Sequence, residues 1–167
     1  AGSSGNWRRA LELIENAEEA SSSGEGRRQL LLEKARILDF ELQDEVAAEE
    51  VYRNIRLTDP DCLDVLKFYR RWYRDRGTPR QRYNNLRQLH EVRTGPEQLK
   101  ERVDVALEMA RLAQDVLGAG DLAVDAWRRV LEDEPQHPMA YNALKEHYAT
   151  GERWHAEVEL LNKRIGL

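Results

Sequence analysis

The chain has 167 residues, of which 41% are hydrophobic and 34% charged, with a formal net charge of −5. It is long enough for one domain with a continuous core, and its acidic balance gives no general drive toward nucleic acid or an anionic membrane. The single cysteine, Cys62, rules out an internal disulfide and a cysteine metal cluster, and no apolar run nears the roughly 18 residues of a membrane span.

Leu, Ala, Glu and Arg dominate, which favours helix over sheet. The opening Ala1-Gly2-Ser3-Ser4-Gly5 reads as a linker or scar. A first helical segment is expected over 6–20, with Asn6 as N-cap and Trp7, Ala10, Leu11, Ile14 and Ala17 along one face. The serine- and glycine-rich residues 21–26 break it. The second segment spans 27–42, and the third 44–57, where Thr58-Asp59-Pro60 stops it. The fourth, 61–76, ends at Gly77. Thr78-Pro79 opens a fifth that runs to 93. Pro96 suits the first turn of a sixth, which ends near Gly118-Ala119-Gly120. The seventh covers 121–133, the eighth 138–149, and the ninth runs from 152 to the end. Such short connections predict antiparallel neighbours stacked along one elongated core, so residues 6–167 are expected to form a single domain.

The pattern repeats after 75 residues. Leu32-Glu33 falls on Leu107-Glu108, Ala35-Arg36 on Ala110-Arg111, Ala48 on Ala123, Tyr52 on Trp127 and Pro60 on Pro135. Trp7, Arg82 and Trp154 mark three copies of one helix, followed by Leu11, Leu86 and Val158, then by Ile14, Leu89 and Leu161. Self-similarity at such a period is the mark of stacked helical units.

Within each period, Leu107, Ala110, Gln114, Gly118, Ala123, Trp127, Val130 and Pro135 fall at the offsets of a helix pair of about 34 residues. The chain thereby resembles the tetratricopeptide repeat (TPR) family over nearly its whole length, two pairs to a period. Residues 29–62, 63–97 and 138–167 fit the same frame. The resemblance implies an all-α, TPR-like right-handed α-solenoid of about nine antiparallel helices. It departs from the family at the Gly of the Leu-Gly step, which here is Arg36, Arg70, Arg111 or Lys145. Either the pairs are splayed there, or the long stem lies along the seam. Trp7 and Leu13 stand without a preceding partner, which points to a segment of a longer array or to ends that contact another chain.

In TPR arrays the first helix of each pair lines a concave groove. Carried over by register, groove positions are Leu30, Glu33, Ile37, Phe40 and Glu41, then Asp64, Lys67, Arg71, Arg74 and Asp75, then Val105, Glu108, Leu112, Asp115 and Val116, then Met139, Asn142, Glu146 and Ala149. From Lys67 to Arg82 seven basic residues face one acid, Asp75. Arginine forks grip carboxylates and phosphates. Lys67, Arg70, Arg71 and Arg74 are therefore candidates for an acidic partner, with pairing to neighbouring glutamates as the alternative. Ile37, Phe40, Leu112 and Val116 are candidate apolar anchors, with burial by tight curvature as the alternative. Trp72, Tyr69, Tyr73, Trp127 and Tyr141 read as core. The Lys and Asn with which one TPR subclass clamps a C-terminal carboxylate are replaced by Glu33 and Ile37, so an adaptor for chaperone tails is not expected.

Catalytic patterns are missing. His90, His137, His147 and His155 show no metal-helix spacing, no glycine-rich phosphate loop occurs, and Cys62 has no identifiable base. The expectation is a non-catalytic, cytoplasmic interaction scaffold that needs no metal and no cofactor. Its partner would be a protein or peptide with acidic and apolar residues, not a membrane. Self-association through open ends is the alternative, and nucleic-acid binding by the 67–82 basic helix is disfavoured by the net charge. The preference for Arg over Lys resembles bacterial arrays from GC-rich genomes.

Overall fold

The computed structural model describes residues 2–150 and 160–164; the expected positions Trp154, His155 and Val158 lie outside them. The chain clusters into two compact units, Ala1–Phe68 and Tyr69–Leu167. The sequence predicts one domain; the division falls inside a helix that no glycine or proline marks.

In the first unit, α1 (Gly2–Ala20) starts at Gly2 rather than at Asn6, so the expected linker is helical. Extending a formed helix fixes one residue per hydrogen bond, and glycine and serine weaken that step without forbidding it. α2 (Gly24–Arg36) begins inside the expected break, because Ser23 is its N-cap and accepts a hydrogen bond from the Gly26 N–H at 3.2 Å. α2 then widens into a turn over Ile37–Glu41, where the Leu42 N–H reaches the Ile37 carbonyl at 2.9 Å. Gln43 reverses the chain with φ of 53°, and the Asp44 N–H closes the turn on the Leu38 carbonyl at 2.8 Å. The Asp44 side chain caps α3 (Glu45–Thr58) by accepting from the Ala47 N–H at 3.1 Å. Ala35 and Ala48 are fully buried between α2 and α3, so the two backbones approach closely. Tyr52 stacks on Phe68 with ring centroids 4.5 Å apart. Lys34 on α2 pairs with Glu15 on α1 at 3.2 Å, and Arg28 on α2 pairs with Asp59 just beyond α3.

α4 (Leu63–Arg76) carries the division between the units. Beyond it, Thr78 and Gln81 form a reciprocal capping box at the start of α5 (Pro79–Val92). A short tight turn, Pro96–Gln98, leads into α6 (Leu99–Leu112), which widens over Ala113–Leu117 as α2 does. Gly118, with φ of 58°, stands 75 residues after Gln43. The Ala119 N–H then closes on the Ala113 carbonyl at 3.0 Å, as Asp44 closes on Leu38. α7 (Gly120–Asp133) and α8 (Pro138–Thr150) follow, and residues 160–164 are helical.

The sequence period thus reappears in backbone hydrogen bonds. Asp59 N–H to Ile55 O matches Glu134 N–H to Val130 O, both at 2.8 Å. Leu66 N–H to Cys62 O matches Tyr141 N–H to His137 O, both at 3.1 Å.

In the second unit Val105, Ala106, Met109 and Ala110 of α6 are fully buried, together with Ala126 and Val130 of α7. Trp127 is buried, and its indole N–H donates to the Gln114 Oε1 at 3.3 Å. Tyr141 is covered by the Arg164 guanidinium, 4.0 Å from its ring centre, and Gln136 donates to the Arg164 carbonyl at 2.8 Å. Two expectations fail locally. Trp72 and Tyr73 are half-buried instead of in the core; the Arg76 guanidinium lies 4.3 Å over the Trp72 ring, since a solvated indole face attracts a cation. Leu161 is exposed and Leu160 buried, so the repeat register is one residue off there.

Candidate functional site

Glu108 is the centre of the charge reversal read in the sequence. It sits on α6, one turn before Leu112, where α4 and α5 bring three arginines toward it. Arg70 places Nε at 2.9 Å and Nη2 at 2.7 Å from Oε2. Arg82 reaches Oε1 at 2.7 Å, and Arg74 approaches the same oxygen at 3.4 Å. Burial alone would raise the Glu108 pKa; the hydrogen bonds from Arg82 and Arg70 outweigh it and hold the carboxyl below its ordinary value. Arg74 keeps half its side-chain surface in water, so its guanidinium is only partly committed.

Beside this cluster lies an open recess of about 490 Å³. Arg74, Arg82, Glu108 and Arg111 form its polar wall with Asp104 and Asp115, and Leu107, Leu112 and Val116 its apolar part. A second recess of about 330 Å³ continues between α6 and α8, lined by Arg111, Asp115, Met139, Asn142 and Glu146 among others. Arg111 and Asp115 belong to both.

The positions read from the sequence fall as follows. Arg74, Leu112 and Val116 line the first recess; Arg70 stands behind it, turned onto Glu108. Val116 is 60% exposed, whereas Leu112 is 4% exposed and serves as floor. Val105, at a nominal groove position, is fully buried, because α6 is embedded between α5 and α7. Arg71 is exposed and lines neither recess. In the first unit Lys67 is exposed and Phe40 is 61% exposed. Ile37 is only 5% exposed and offers no free anchor, since the widened turn rolls it inward.

Two residues were undervalued in the sequence. Glu108 stands there as a nominal groove position, not as the carboxylate that the arginines share. Arg111 reads only as a misplaced substitute for glycine. Two of the arginines at the Leu-Gly step reach carboxylates: Arg36 reaches Asp64 at 2.7 Å, and Arg70 reaches Glu108. Among the described residues Arg111 finds only the Met139 thioether, at 3.7 Å.

A separate cluster surrounds His90, which is 3% exposed on α5. Its Nδ1 lies 3.1 Å from an Arg129 guanidinium nitrogen, so it accepts and the proton sits on Nε2. Among the described residues Nε2 has no hydrogen-bond partner, and Asp133 Oδ2 lies 3.9 Å from it. Burial, then the charges of Arg102 and Arg129, lower its pKa to about 4. No group of His, Cys, Asp and Glu among the described residues is arranged to hold a metal ion, and no described helix is long and apolar enough to cross a membrane.

No family model matches the sequence, and no curated protein matches it. Among solved structures the chain is similar to a mutant of MamA, with a TM-score of 0.50 at 16% identity over 96% of this chain and 87% of that one. It is also similar to MamA MSR-1 C2, with a TM-score of 0.48 at 14% identity over 96% of this chain and 86% of that one. At such identity the likeness to the first, a TPR-like protein, speaks for the fold alone: the chain is an all-α, TPR-like helical solenoid.

Proposed function

We propose that this chain is a non-catalytic member of the TPR family that binds a segment of a partner protein in the recesses of its second unit. The observation that carries the reading is the first recess. Val116 stands exposed over an apolar floor, and the partly solvated Arg74 and the Glu108 cluster form the opposite wall. An apolar anchor next to fixed guanidinium donors suits a peptide with hydrophobic and acidic residues, which the apolar patch holds and the arginines orient. The three arginines on one carboxylate also keep the donors rigid, which lowers the ordering cost of binding.

The test is capture from a native proteome by immobilised wild type, Arg74→Glu and Val116→Glu, side by side. A protein retained by wild type and lost from both variants, at unchanged melting temperatures, supports the recess. Equal retention by all three refutes it.

A further inference from the structure

The internal repeat identifies what one arginine lacks. Arg36 and Arg111 stand 75 residues apart at the same step of α2 and α6, and so do Asp64 and Met139 at the start of α4 and α8. The equivalence is structural as well as numerical, because the chain passes from α3 to α4 and from α7 to α8 through the same hydrogen bonds. Cys62 N–H to Asp59 O at 3.2 Å corresponds to His137 N–H to Glu134 O at 3.0 Å. In the first unit Arg36 donates to Asp64 at 2.7 Å. In the second, the acceptor at that place is the Met139 sulfur at 3.7 Å, a weak one. Asp115, one turn further along, faces the same recesses yet forms no ion pair with Arg111 among the described residues.

Arg111 is therefore an exposed guanidinium where the fold has a ready geometry for a carboxylate and no described residue supplies one. With Asp115, it is one of two side chains shared by the two recesses. We infer that Arg111 is the specificity residue of the groove, and that a partner's Asp or Glu side chain takes on Arg111 the place that Asp64 takes on Arg36. The inference rests on the groove reading above and adds the chemistry of one contact. The partner segment lies across α6, with its carboxylate between the Arg111 fork and the Met139 side chain and its apolar residue toward Val116. Arg74 and Arg82 are tied to Glu108, and Asp104 and Asp115 line the same recess, so the attraction for that carboxylate is local to the Arg111 fork.

The repeat also provides the decisive variant. Met139→Asp installs on α8 the carboxylate that Asp64 supplies to Arg36, and so builds an internal competitor. Met139→Asn is its neutral isostere, and Arg111→Gln removes the fork. The experiment selects dodecapeptides from a random displayed library on wild type, then measures the Kd of the selected peptides for all three variants, with melting temperatures by circular dichroism.

Selected peptides rich in Asp or Glu are expected, with binding weakened about tenfold or more by Arg111→Gln, and weakened about tenfold or more by Met139→Asp relative to Met139→Asn, which differs from it only in charge. Met139→Asp is expected to melt at or above the wild-type temperature. Peptides without acidic enrichment, or equal affinity for the Asp and Asn variants, overturn the assignment of Arg111 and leave the groove reading standing. An empty selection on wild type overturns both.

Discussion

His90 shows how one side chain sets a pH dependence. It is neutral in the folded unit because burial and the cations Arg102 and Arg129 oppose its charging more than Asp133 and Glu91 favour it. In the unfolded chain it titrates near its ordinary value of about 6.5. Between pH 6.5 and pH 4 the unfolded state therefore binds a proton that the folded state refuses, so stability falls as pH falls through that window and is flat above it. The loss at pH 4 is about 3 kcal/mol. His90→Gln offers Arg129 an acceptor and cannot titrate. Urea unfolding of both proteins at pH 7 and pH 4 should show wild type losing about 3 kcal/mol more than the variant. A difference that stays constant with pH would mean that His90 is charged in the folded protein.

At the scale of the element, the two widened turns place different residues under the same backbone demand. Gln43 and Gly118 both occupy the left-handed region after their turns, with φ of 53° and 58°. A side chain there crowds its own carbonyl, which costs roughly 1–2 kcal/mol, and only glycine escapes that cost. No atom lies within 4 Å of where a Gly118 Cβ would be, so conformation alone decides the outcome. Gln43→Gly should stabilise by about 1 kcal/mol and Gly118→Gln destabilise by about the same, read as opposite shifts of the urea midpoint at constant slope. Both substitutions shifting the midpoint the same way would mean that something other than φ governs these turns. The glycine was legible as a helix stop, because Gly118 ends an apolar stripe. The matching stop at Gln43 falls between the expected segments 27–42 and 44–57, but its left-handed backbone was not legible, since glutamine carries no such signal and only the repeat discloses it. The ladder of arginines was half legible in the same way. Their positions follow from the Leu-Gly step, but which carboxylate a long guanidinium reaches depends on helix offsets that sequence spacing does not fix. Arg70 therefore meets Glu108 while Arg111 meets Met139.

Over the whole molecule, the period was the strongest signal because it is carried by small and large residues at fixed offsets. Ala35 and Ala48 match Ala110 and Ala123, and Tyr52 matches Trp127, all of them buried. What the period could not convey is the division into two compact units, since the residues around Phe68 and Tyr69 read as unbroken helix. In stacked helical arrays each unit contacts its neighbours only, so stability is close to a sum of local terms. Trp127 tests this directly. It is 5% exposed among the residues of α6 and α7, and its indole N–H is satisfied by Gln114. Trp127→Ala removes that packing and opens a cavity at a cost of about 3–5 kcal/mol. None of the atoms around Ala35, Ala48 and Ile55 changes. Amide exchange should therefore lose protection across α6, α7 and α8 while α2 and α3 keep theirs. Equal loss in both units would show that they unfold as one cooperative body. A cost near zero would show that Trp127 is not part of the core and that the register of α7 needs revision.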